Sequence, residues 1–261
     1  MHGVIESSDA TLHYETAGSG QPVLFLHAGV ADSRMWDTQF TARAGWQLIR
    51  FDMRGYGTSR LGSERFTNRD DALAVLDHLG IDSAVIVGCS IGGNTALQIA
   101  ETAPERIEGL VLVGADAPGY DPGIDYESPE WPAAIEAFES GNLRRVAELE
   151  AEMWLAGVGR STSDLDRRLV ELFIDMDLTA LGTEADRQQL DVGQPLEHLP
   201  EVEGPVLVVV GERDIPQIIA SAEHLAAGFD ANPVFIPNTA HLPPMDASRR
   251  FSETLGRFLT T

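Results

Sequence analysis

The chain contains no lysine; its 18 basic residues are all arginine, set against 41 acidic residues for a formal net charge of -23. A surface so unbalanced repels phosphate backbones and anionic headgroups, so neither nucleic acid nor a membrane surface is an expected partner. Cysteine is nearly absent too. With Cys89 alone no intrachain disulfide can form, and nothing demands an oxidising compartment. No apolar run approaches the roughly 20 residues that span a bilayer. The opening "MHGVIESSDATLHYE" lacks the basic and then apolar pattern of a secretory signal, so the expected setting is the cytoplasm. The 7 histidines show no H-x-x-x-H or H-E-x-x-H spacing and there is no C-x-x-C. Neither a metal nor a cofactor is therefore expected.

What the chain does have is a 43% hydrophobic content distributed in short runs. "VIES" and "TLHYET" read as an antiparallel pair, with "GSGQ" as a turn after them. Pro22–His27, Trp46–Asp52, Ala84–Gly88, Gly109–Ala115, Pro205–Gly211 and Pro233–Pro237 read as buried strands. Helical spacing at Asp71–Leu79 and after Ser90 alternates with them, which predicts a mostly parallel α/β sheet covered on both faces. The rhythm breaks between residues 120 and 193, where "AAIEAFES", "LRRVAELEAEMWLAG" and "DLDRRLVELFIDMDL" are helix-like. This stretch of roughly 70 residues is too long for a plain loop. The expected organisation is a core of residues 1–119 and 194–261 with a helical insertion at 120–193.

"VIVGCSIGG" places Ser90 between glycines at minus two and plus two, Gly88 and Gly92. The strand before it and the helix after it are the context in which G-x-S-x-G presents a nucleophile. Centred on Cys89, the same positions would be Val87 and Ile91, so Cys89 reads as packing. A serine needs a base, and the base needs a carboxylate to hold its tautomer. His241 in "NTAHLPPMD" follows the last predicted strand; His2, His13, His78, His198 and His224 read as solvated or core residues. Asp214 in "VVVGERDIP" follows a buried strand and lies between Ser90 and His241 in the chain, the order this arrangement uses. Asp116, in "LVLVGADAP", is the alternative acid, and Glu212 reads as structural.

An oxyanion needs two donors. The N–H of Ile91 is one, and the turn after His27 nominates the backbone N–H of Ala28 as the other, with His27 bracing the loop. Gly29, Trp154, Met153, Phe138 and Leu242 are the expected substrate contacts, around a mostly apolar pocket.

Taken together, "HAG" at His27–Gly29, "DMRGYGTS" at Asp52–Ser59, "GCSIGG" at Gly88–Gly93, "GERD" at Gly211–Asp214 and "AH" at Ala240–His241 resemble the α/β-hydrolase superfamily, specifically its esterase-like members with a small cap. The resemblance implies an α/β-hydrolase fold, a Ser90–His241–Asp214 triad, an oxyanion hole at Ala28 and Ile91, and an insertion that acts as a helical cap. It also implies that Arg54 ties loops together. Aspartate at the elbow marks the superfamily's dehalogenases and epoxide hydrolases, and Ser90 argues against both. The expected activity is hydrolysis of a small ester or lactone through an acyl-enzyme, by a monomer or homodimer. C–C hydrolysis, acyl transfer and perhydrolysis use the same triad and stay open, as does a non-catalytic ligand sensor on this fold.

Overall fold

The apolar runs become the strands of one sheet. The computed structural model describes residues 1–7, 9–190 and 198–260. Among these the sheet has seven strands: β1 (His2–Ser7), β2 (Ala10–Leu26), β3 (Ala44–Phe51), β4 (Ala84–Cys89), β5 (Ile107–Val113), β6 (Val206–Gly211) and β7 (Val234–Ile236). Their order is β1-β2-β4-β5-β6-β7, with β3 paired to β2. The segment from β4 to β7 is wholly parallel.

β2 is longer than the sequence suggests because it contains a reversal. Over Tyr14–Gly18 its partners on β3 fall from Phe51 to Gln47; over Ser19–Phe25 they rise from Ala44 to Arg50. The expected turn at "GSGQ" is therefore a fold inside the element, made by Gly18 at φ 77° and Gly20 at φ 127°. β3 lies between the two arms, and the second arm continues in parallel pairing with β4.

Because side chains alternate across a strand, each apolar run feeds two cores. Leu24, Leu26, Ile86, Leu110, Leu112 and Val208 face one side, with helices α1 (Asn68–His78) and α2 (Ile91–Thr102) packed on them. Val23, Phe25, Val85, Val87, Val111 and Val209 face the other.

Between β5 and β6 come α3 (Trp131–Glu139), α4 (Leu143–Glu150), a π-helical turn over Ala151–Ala156 and α5 (Arg167–Thr183). No strand of the sheet lies between β5 and β6 along the chain among the described residues. The expected return to the core at 193/194 lies outside the described residues. After β6 follow α6 (Pro216–Gly228), α7 (Pro243–Asp246) and α8 (Ser248–Phe258). No helix among the described residues is long and apolar enough to cross a membrane.

Candidate active site

Ser90 sits between the last residue of β4 and the first of α2, at φ 52° and ψ -118°. That backbone region is costly for a residue with a side chain and persists only where the surroundings enforce it. The glycines enforce it by omission. A Cβ on Gly88 would strike the carbonyl of Gly92, and one on Gly92 would strike the carbonyl of Leu26. Strand and helix can therefore pass only with hydrogen at both positions. Cys89 points into the core, wholly buried, with Sγ against the His241 carbonyl at 3.8 Å, and burial pushes its thiol well above the ordinary value. Only thiolates are good nucleophiles, so Cys89 is inert packing.

His241 and Asp214 arrive from the loops after β7 and β6. The Nδ1–H of His241 donates to Asp214 Oδ2 at 2.9 Å, and both side chains are buried. The other carboxylate oxygen, Oδ1, accepts the N–H of Ile215 at 2.8 Å, which fixes the carboxylate plane. Gly114, at φ 52°, leaves room for the imidazole; a Cβ there would lie 3.1 Å from His241 Nδ1. The alternative acid is elsewhere engaged: Asp116 is exposed and takes the Ser221 hydroxyl at 3.0 Å and its neighbour Ala117 N–H at 2.9 Å. Glu212 accepts the N–H of Asn238 at 3.3 Å, a structural contact.

The loop after β2 corrects one expectation. Ala28 is wholly buried, and its N–H donates to Met35 Sδ at 3.3 Å. A short 3-10 turn over Ser33–Trp36 brings that thioether beneath the loop. The Ala28 N–H is therefore spoken for, and Gly29, one residue on, is the one that lines the cavity. His27 braces the loop as expected. Its Nε2 accepts the Met53 N–H at 3.0 Å, which leaves Nδ1–H to donate to the Ala28 carbonyl at 2.9 Å. Burial lowers its basicity and keeps it neutral. Arg54 grips Asp71 of α1 at 2.7 and 2.8 Å and covers the Phe66 ring.

Ser90, His241 and Gly29 open onto a cavity of about 330 Å³. Its far walls come from the insertion. The π-helical turn, a device often found at functional sites, carries Trp154 over the imidazole, with ring centroids 4.9 Å apart. The other expected contacts fall outside this cavity. Met153 lines a neighbouring apolar cavity of about 220 Å³, divided from the first by Trp131 and Trp154. Phe138 is 44% exposed, because α3 turns Ala134 and Ala137 inward instead. Leu242 is wholly buried in the core beneath the sheet edge.

The lining is more apolar than polar, but charged groups interrupt it. Glu150, Asp177, Glu184 and Arg187 line the cavity, with Tyr56. The chain did carry a signal for Asp177: it follows Phe173 and Ile174 at helical spacing, on the buried stripe of α5. Among the described residues no group of three or more His, Cys, Asp or Glu could hold a metal ion.

Comparison with known proteins bears on the fold and the family. The profile of the alpha/beta hydrolase fold matches residues 21–248. The AB hydrolase superfamily protein YisY of Bacillus subtilis (strain 168) is 26% identical over 223 residues, covering 82% of this chain and 81% of its own. A thermophilic esterase from Thermogutta terrifontis superposes with a TM-score of 0.79 at 25% identity, over 100% of this chain and 98% of its own. The enol-lactonase of Burkholderia xenovorans LB400 shares the fold with a TM-score of 0.79 at 22% identity, over 99% of this chain and 100% of its own. Elbow, sheet order and profile lead to one assignment: the chain belongs to the α/β-hydrolase fold family.

Proposed function

We propose that this protein is a serine hydrolase that cleaves a carboxylic ester or lactone through an acyl-enzyme on Ser90. One observation carries the reading: a buried Asp214–His241 pair opens, through the imidazole, onto the cavity that a strained serine also lines. Ser90 Oγ attacks the carbonyl while His241 Nε2 takes its proton, and Asp214 holds the Nδ1–H tautomer. The oxyanion accepts the N–H of Ile91, which as the first residue of α2 has no partner within its helix, and the N–H of Gly29 in place of that of Ala28. Collapse expels the alcohol, which receives the proton from His241. A water activated by the same nitrogen then releases the acid and restores Ser90. No cofactor enters these steps. The insertion is the cap that closes the cavity from above, and the partner is a small molecule.

A panel of 4-nitrophenyl esters and lactones tests this. Ser90→Ala should lose on the order of 10⁴–10⁶ in turnover, and a serine-directed phosphonate should label Ser90 in the unmodified protein. Near-normal turnover by Ser90→Ala would overturn the reading.

A further inference from the structure

The cavity holds charged groups that ester hydrolysis does not use. Glu150 ends α4 and Asp177 lies in the middle of α5; the two helices pack together, and both carboxyl-bearing residues line the cavity wall. Asp177 is 1% exposed, and its Oδ2 accepts from no N–H or hydroxyl among the described residues. Burial, then the charges of Glu150 and Glu184, push it up to about 10; burial raises Glu150 as well. The pair therefore holds a proton at neutral pH. Glu184 adds a third carboxyl at the same cavity.

Arg187 does not neutralise this wall by direct pairing. It donates to the Tyr56 hydroxyl at 2.7 Å, to Thr183 Oγ1 at 3.1 Å and to the Ala180 carbonyl, with its guanidinium 4.1 Å above the Tyr56 ring. Burying carboxyl groups costs free energy that packed leucines would not. An acid pair kept at that cost, with one oxygen lacking a donor, on the wall of the cavity that Ser90 opens onto, has a ligand's shape in charge. The carboxyls do not form a metal-ligand set, so the charge they suit is an organic one. A protonated amine brings three donors and a positive charge, and Trp131 and Trp154 in the same cavity offer aromatic faces to it.

We propose that the wall formed by Glu150 and Asp177 is a subsite for a protonated amine, so that the natural ester or lactone carries an ammonium group on the arm that reaches it. This rests on the serine-hydrolase reading for the chemistry but not for the binding, and the two can fail separately.

The test compares 4-nitrophenyl 6-aminohexanoate with the neutral heptanoate ester of equal length and the anionic hemipimelate. The expected kcat/KM of the amino ester exceeds that of the heptanoate by about tenfold or more, as hydrogen bonds between charged groups allow, and the hemipimelate falls below both. Asp177→Asn and Glu150→Gln should each bring the ratio of amino to neutral ester close to one. A ratio of one or less in the unmodified protein overturns the proposal. So does a preference that both variants keep. If no ester is turned over, the serine-hydrolase reading fails, and calorimetry decides the subsite on the unmodified protein. Hexylammonium binding about tenfold tighter than hexanol supports it, and equal binding overturns it.

Discussion

Asp214 and His241, 27 residues apart in the chain, meet through one hydrogen bond of 2.9 Å that both side chains bury. Asp214→Asn would preserve the shape but offer the imidazole the wrong partner, favouring the tautomer that cannot take the serine proton. The expected loss is on the order of 10⁴ in kcat, with an unchanged circular dichroism spectrum. Asp116→Asn, on a side chain held by Ser221, should leave turnover unaffected. Equal losses in the two variants would show that Asp214 has no privileged role.

Cys89 gives a second contrast, with the residue next to it. Cys89→Ala removes one buried sulfur and should cost about 1 kcal/mol of stability, read as a small drop in melting temperature. Ester turnover should persist, whereas in Ser90→Ala it should vanish. In the native state Cys89 should also resist thiol reagents, since burial raises its thiol far from the reactive range.

The elbow glycines are a third point of test. Gly92→Ala drives a methyl group into the Leu26 carbonyl, and backbone cannot yield as a side-chain tip can. The expected cost is about 3 kcal/mol or more, with turnover falling even in the fraction that folds. Gly80, where a Cβ would meet nothing within 4 Å, is the control for space: although φ 68° strains any side chain there, Gly80→Ala should lose stability without losing turnover.

The carboxyl pair makes stability depend on pH in a definite direction. Between 3.8, the ordinary value for an aspartate, and about 10, the folded chain keeps a proton on Asp177 that the unfolded chain has released. The stability from that proton is full below 3.8 and is lost as pH rises toward about 10. An Asn amide is neutral across this range. Melting temperatures of Asp177→Asn should therefore gain on the unmodified protein step by step from pH 5 to pH 9. A difference that stays constant over that range would mean the pair holds no proton.

Much of this architecture was legible in the chain because it rests on local pattern. Continuous apolar runs bounded by turn residues mark β4, β5 and β6, and the glycine register separates Ser90 from Cys89 without reference to any contact. Other features depend on rotation and docking, which the chain does not spell out. Whether Ala28 or Gly29 faces the cavity turns on one peptide plane, set by Met35 and His27. Phe138 points outward and Asp177 inward because of how α3 and α5 are rotated against their neighbours. The reversal in β2 was visible as glycines, but not the capture of β3 between its arms.

The main-chain N–H of His241 donates to the carbonyl of Trp154 at 3.1 Å, and Arg160 bonds both the Asn238 carbonyl, at 2.7 Å, and the Ala156 carbonyl, at 3.0 Å. Roof and imidazole are thus stitched into one mechanical part. Lifting the π-helical turn would pull on the very loop that carries His241, so the two can move only together.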